Sequence, residues 1–290
     1  MIIYLKLILT MIFWGGTFIA GRSLVQDVGP FSAAFFRFLT ASFFLIFLVC
    51  RVEGKVSVPA KKQIIPLVLL GLTGVFLYNI FFFKGLKLIE AGRASVIIAN
   101  NPILIALFSA YFFKERLSVV KVGGILISIS GAIIVITRGH FFELFRGGLG
   151  LGEFYIVCCV ASWVAFSLIG KVVMTSLSPL RSVAYSAIVG TVFLAVPAFM
   201  EGGLGFIHYS LLNWACIFYL GFFGTVLGFL WYYQGIQKIG PTRAGLFINF
   251  VPISAILLAF IFLQESLTVS LLIGVALVSS GVYLTNRPAT

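Results

Sequence analysis

NPILIALFSAYFFKERLSVVKVGGILISISGAIIV at residues 101–135 and VPISAILLAFIFLQESLTVSLLIGVALVSSGVYL at residues 251–284 are two versions of one pattern. In each, a proline opens an apolar run, a glutamate closes it, and a second apolar run carries glycines seven residues apart. Pro102, Glu115, Gly124 and Gly131 stand 150 residues before Pro252, Glu265, Gly274 and Gly281. The same shift pairs Gly71 with Gly221, Gly85 with Gly235 and Arg93 with Arg243. A one-residue slip, to 149, pairs Trp14 with Trp163, Gly21 with Gly170, Arg22 with Lys171 and Pro30 with Pro179. Chance does not put so many glycines, prolines and charges into one order. Residues 1–140 and 150–290 are therefore expected to be two copies of one unit.

The solvent of that unit follows from what fills it. Of the 290 residues, 61% are hydrophobic and 10% charged, with a mean hydropathy of +1.16; a soluble domain carries roughly 25% charged residues. Charges, prolines and glycines divide the chain into apolar runs at about 3–25, 31–50, 64–84, 92–113, 119–137, 150–171, 180–200, 212–235, 243–264 and 268–286. Runs near 20 residues match a hydrocarbon core of about 30 Å when helical, whereas barrel strands would be about ten residues with strict alternation. The expectation is an all-α polytopic membrane protein with ten transmembrane helices, five per copy. Five is odd, so the second copy must enter the membrane from the opposite side and the repeats are inverted.

With the N-terminus placed in the cytoplasm, thirteen of the 20 lysines and arginines fall in inside loops and six in outside loops, leaving Arg37 within helix 2. That bias predicts both termini inside a prokaryotic plasma (inner) membrane. The formal charge of +12 is thereby assigned to loops at a bilayer, and nucleic acid is excluded as a partner. Cys50, Cys158, Cys159 and Cys216 lie in or beside apolar runs without zinc-type spacing, which suits small buried hydrophobes. The N-terminal apolar run is too long for a signal-peptide core and is read as a retained helix 1. A monomer is expected.

These residues resemble the drug/metabolite transporter superfamily, specifically its EamA branch. FWGGTFIAGRSL at 13–24, VGPFSAAFFRFLTAS at 28–42 and the two stretches quoted above carry the resemblance. It implies ten helices with cytoplasmic termini and a central cavity lined mainly by helices 1, 3, 4, 6, 8 and 9. It also implies movement of amino acids or other small organic metabolites, often outward.

Candidate site residues follow from helical faces. Thr10, Trp14, Thr17 and Gly21 share one face of helix 1, and Cys159, Trp163, Phe166 and Gly170 form its copy on helix 6. A tryptophan near mid-span cannot be a headgroup anchor, so Trp14 and Trp163 face protein or cavity. Tyr78 and Tyr232 need hydroxyl partners that a wet cavity or a polar ligand supplies as readily as a neighbouring helix. Glycine rows at 71, 74 and 85 on helix 3, and at 221, 228 and 235 on helix 8, suit close helix packing. Asn100, Asn101 and Asn249 precede Pro102 or Pro252, where bent backbone beside an amide offers donors and acceptors together. Asn79, Ser167 and Trp231 complete the set expected to bind substrate; interhelical packing is the competing role throughout.

Pro102, Pro252, Glu115, Glu265 and Arg37 are assigned gating or structural roles. Glu115 and Glu265 close helices 4 and 9 and are expected to meet nearby arginines or lysines, or to act as latches. Arg37, roughly 10 Å into helix 2 by helical rise, is expected to snorkel or to brace a helix C-terminus. No glutamate falls at mid-span and Asp27 is the sole aspartate, which leaves no carboxylate relay and favours a facilitator or exchanger. A channel would need a filter or charged rings, and none is visible. An aspartyl protease needs two aspartates, and the chain lacks a His-Glu-x-x-His motif, with His140 and His208 in loops. No catalytic residue, metal or cofactor is expected. The inferred cargo is a small organic molecule, such as a hydrophobic or aromatic amino acid for export or exchange, with an organic cation or drug as the alternative.

Overall fold

In a computed structural model, the described residues are 2–54, 59–101, 103–104, 107–108, 111, 119–137, 139, 150–202, 209–239 and 247–285. They are helical throughout, with no strand among them. Helix α1 spans Ile2–Asp27, α2 Pro30–Glu53 and α3 Lys61–Leu88, the last interrupted by a π-helical stretch at Gly71–Leu77. Helix α4 is Ala91–Ile98 and α5 is Val119–Ile136. Then follow α6 Leu151–Val173 and α7 Pro179–Met200. Helix α8 runs as Leu211–Phe218, a π-helical stretch Tyr219–Leu227, and Gly228–Ile239. A 3-10 turn at Phe247–Asn249 leads into α9, Phe250–Leu263, and α10 is Val269–Thr285.

Helices α1, α2, α3, α6, α7 and α8 each contain a stretch long and apolar enough to cross a membrane. Shorter apolar helices occur at Val119–Val135, Phe250–Leu263 and Val269–Gly281. Proline opens both α2 and α7, where a missing amide proton costs nothing. The run expected at 92–113, with bent backbone before Pro102, is broken near its centre: the helix stops at Ile98, a turn follows at 99–100, and residues 101, 103–104, 107–108 and 111 are helical again. The Asn100 side-chain amide donates to the carbonyls of Val96 and Ile97 at 3.1 and 3.2 Å; the Asn100 backbone amide has turned to Ile97, so a side chain replaces the backbone donor at Val96. Within the run expected at 243–264, a 3-10 turn at Phe247–Asn249 stands at the matching place and passes into α-helix at Phe250.

Glycines show how the helices meet. A Cβ on Gly71 would lie 2.6 Å from Val189 of α7, and one on Gly221 2.8 Å from the Arg37 carbonyl of α2. Gly74 is closed against Phe166 of α6 and Gly224 against Thr17 of α1; Gly85 against Ile156 of α6 and Gly235 against Leu7 of α1. Each contact made by α3 thus has a counterpart made by α8, with α6 and α7 exchanged for α1 and α2. Helices α5 and α10 pack on each other through Gly131, Gly274 and Gly281. Helix α2 lies along α7 and α1 along α9. Close approach of this kind is how helices associate where no water drives them together.

Polar ties join helix ends in two groups. At one end Lys6 donates to Gln234 at 2.9 Å, and Glu53 holds Arg181 at 2.7 Å and the Ser178 hydroxyl at 2.7 Å. At the other, Arg22 donates to the Leu86 carbonyl, Glu201 accepts from the Ser32 amide at 2.7 Å, and Arg93 pairs with Glu153 at 2.8 Å. The main core is built from α1, α2, α3, α6, α7 and α8, with the start of α4 and part of α9. A second, smaller core joins the end of α4 to α5, α9 and α10.

Candidate functional site

A row of aromatic rings crosses the centre of the bundle. Trp14 lies 5.2 Å from Tyr232 and 5.8 Å from Phe229, centroid to centroid; Phe229 lies 6.0 Å from Trp163. Trp163 lies 5.0 Å from Tyr78, which stacks on Phe82 at 5.9 Å. Four helices, α1, α3, α6 and α8, supply these rings, and two of them come from each half of the chain. Trp14, Tyr78, Trp163, Phe229 and Tyr232 all retain accessible surface, so ring-to-ring contact does not use up their faces.

The two tryptophans occupy matching positions but make different bonds. The Trp14 indole donates to the Gly224 carbonyl at 3.0 Å, and a Cβ on Gly228 would lie 2.5 Å from its nitrogen. The counterpart of Gly228 in the first half is Tyr78, whose ring stands against Trp163. Among the described residues the Trp163 indole N–H has no hydrogen-bond partner. One tryptophan is locked to backbone and the other keeps a free donor beside a phenol.

Arg37 is placed unexpectedly. Its side chain neither snorkels nor meets a helix C-terminus; it is 7% exposed and reaches inward between α3 and α8. Its Nη1 donates to Asn79 Oδ1 at 3.0 Å, and its Nε and Nη2 donate to Thr225 Oγ1, both at 3.3 Å. Depth counted along α2 says nothing about lateral reach, which is why helical rise misled. Thr225 sits in the π-helical stretch of α8 and passes its own proton to the Leu220 carbonyl, five residues back, at 2.9 Å. Asn79 follows the π-helical stretch of α3 and donates to the Val75 carbonyl at 2.8 Å. Such stretches recur at functional sites because they turn side chains out of the regular helical row. The Tyr78 phenol and the Cys159 thiol lie within electrostatic reach of the guanidinium, and Tyr78 directly precedes Asn79, which the guanidinium holds.

The other candidates divide. Thr17 is buried, bonded to the Trp14 carbonyl at 2.6 Å and packed on Gly224. Ser167 is half-buried and returns to the Trp163 carbonyl at 2.8 Å. Trp231 lies toward the end of α8, 5.7 Å from Phe13 and with the Lys6 ammonium 6.0 Å from its ring. Asn100 does not face the rings: its Oδ1 accepts from Ser128 of α5 at 2.8 Å, so all its capacity is spent on helix packing. Asn101 is buried, and among the described residues its Oδ1 has no partner. Pro252 is buried within α9. Among the described residues Glu265 meets neither arginine nor lysine; it accepts from the Ala91 and Gly92 amides at 2.8 and 3.0 Å, a carboxylate on the start of α4. Pro102, Glu115 and the side chain of Asn249 lie outside the described residues. Phe229 is a ring of this row that the sequence did not single out; it occupies the repeat position of Asn79, a departure from symmetry that marks it.

The EamA-like transporter family matches residues 1–137 and, separately, residues 150–287. The chain belongs to that family. This EamA-like protein is 29% identical to the uncharacterized transporter YyaM of Bacillus subtilis over 97% of its own length and 92% of that protein. It is 30% identical to an uncharacterized transporter of Archaeoglobus fulgidus over 98% of each. A relative from Streptantibioticus cattleyicolor, 26% identical over 97% of this chain and 92% of that one, is named "Probable terminal-alkyne amino-acid exporter". A solved crystal structure superposes with a TM-score of 0.63 over 95% of this chain and 97% of that one at 18% identity, a likeness of fold. The chain is a multi-pass membrane protein of a transporter family.

Proposed function

We propose that the protein moves small organic metabolites across a prokaryotic plasma membrane by alternating access, as an exporter or exchanger of hydrophobic or aromatic amino acids or related compounds. In this reading ten transmembrane helices form two inverted five-helix halves, the chain works as a monomer, and both termini lie in the cytoplasm. The observation that carries it is the row of aromatic rings, most of them half-buried, supplied by two helices from each half. A cargo lying against Trp14, Trp163, Phe229 and Tyr78 touches both halves at once, so relative rocking of the halves would expose it to one side and then the other. The exchange of partners between α3 and α8 supports the inversion, as does the separate family match of each half. The amino-acid class is supported by the name of the Streptantibioticus relative and by the apolar rings.

The same rings suit an organic cation, whose charge is attracted to aromatic faces, and this is the second reading. Counterflow in proteoliposomes separates the two: vesicles preloaded with unlabelled phenylalanine should accumulate labelled phenylalanine, and vesicles preloaded with phenethylamine should not accumulate the amine. Exchange is expected to persist when a protonophore collapses the proton gradient. Uptake that vanishes with the gradient would overturn the facilitator or exchanger mechanism.

A further inference from the structure

Arg37 is a full charge buried mid-bundle with only neutral groups against it. A guanidinium keeps its proton under all ordinary conditions, and a buried charge without a counter-ion is costly. Its neighbours are the Thr225 hydroxyl, the Asn79 amide oxygen and the Phe38 ring 5.4 Å away. The titratable groups that face it are the Tyr78 phenol and the Cys159 thiol, both uncharged at neutral pH. Among the described residues no aspartate or glutamate pairs with it. Three of its contacts go to those two acceptors, and a guanidinium has five N–H donors.

We propose that Arg37 anchors a carboxylate of the cargo. This rests on the reading of the ring row as the cargo's berth. Arg37 is bonded to Asn79, the residue after Tyr78, and the Tyr78 ring lies 5.0 Å from Trp163, so a carboxylate on Arg37 directs the molecule's apolar body along Tyr78 and Trp163. The repeat position of Arg37 is Ser186, whose hydroxyl is spent on the Val183 carbonyl at 2.9 Å. Only one half carries an anchor, so one anionic group is read. The cargo is therefore a carboxylic acid or an amino acid with an apolar body, and an amine without a carboxylate is a poor fit.

A bracing role would also explain a buried arginine, and Asn79→Asp separates the two. The substitution is isosteric and sets a carboxylate at the position now 3.0 Å from Nη1. As a brace it would strengthen the contact and leave binding alone; as an anchor it would be shut by an internal counter-ion. Detergent-purified full-length protein should be stabilised against heat by 3-phenylpropionate and phenylalanine, and far less by phenylalaninamide and phenethylamine. In Asn79→Asp and Arg37→Gln, apparent affinity for the two carboxylates should fall about tenfold or more, the equivalent of one charge-assisted hydrogen bond. Arg37→Lys should retain part of it.

A folded Asn79→Asp that binds both carboxylates as the wild type does overturns the anchor. So does a wild type that prefers the amide or the amine. Proteoliposome exchange of the same four compounds keeps the two claims apart. Carboxylate binding that Asn79→Asp abolishes, without any flux in the wild type, upholds the anchor and defeats the transport reading. Flux of amide and amine alone upholds transport and defeats the anchor. No response to any of the four in either assay defeats both.

Discussion

Trp14 and Trp163 show how far one residue type can diverge within a repeated frame. The first spends its indole proton on the Gly224 carbonyl and the second leaves it free next to Tyr78. Trp14→Phe should therefore cost about 1 kcal/mol of stability, one lost hydrogen bond with its acceptor left buried. Trp163→Phe should leave stability unchanged and weaken the response to an added ligand; thermal unfolding with and without phenylalanine measures both. Helical faces made these two residues legible in the sequence, as they did Tyr78 and Tyr232, because a spacing of three or four residues is enough to put side chains on one side. They could not foretell the bonds. Asn100 has the same sequence setting as Asn101, yet Ser128 of a different helix absorbs it, and that partner is knowable only once α4 and α5 are packed.

At the scale of elements, the π-helical stretches at Gly71–Leu77 and Tyr219–Leu227 were not legible at all. Apolar periodicity is sampled at 3.6 residues per turn, and a single wider turn is lost when every neighbour is apolar. Their effect is to split each glycine row between two partners: Gly71 faces α7 while Gly74 faces α6, and Gly221 faces α2 while Gly224 faces α1. The same wider turns present Thr225 and Asn79 to Arg37. Gly221→Ala should accordingly destabilise by about 1–3 kcal/mol, since the new methyl meets the Arg37 carbonyl and Thr40 Cβ at 2.8 Å, and backbone cannot step aside. Gly123→Ala, with nothing within 4 Å of the added carbon, should leave the melting temperature unchanged or raise it slightly. Monodispersity after mild heating would rank the two variants against wild type.

For the whole molecule, the all-helical, membrane-spanning character and the family were open to reading, because they depend on composition and on short motifs. Which helix touches which was not, since pairing across the bundle is set by small residues whose partners lie far along the chain. The end-to-end ties give the orientation a physical form: Lys6 with Gln234 and Glu53 with Arg181 gather at one membrane face, Arg93 with Glu153 and Ser32 with Glu201 at the other. If the first face is cytoplasmic, a C-terminal green fluorescent protein fusion should fluoresce, and an alkaline phosphatase fusion at the same place should be inactive. The reverse pair of results would turn the molecule over.

The α5–α10 pair has a practical corollary. Its glycines bring backbone against backbone at Gly124, Gly131, Gly274 and Gly281, its core is separate from the main one, and no side chain in the ring row comes from it. It is thus the natural handle for protein engineering. Substitutions that thicken its outward, lipid-facing surface can be screened for yield and shelf life without redesigning selectivity, whereas an insertion or tag between its helices would pry apart a seam that leaves no room for repair.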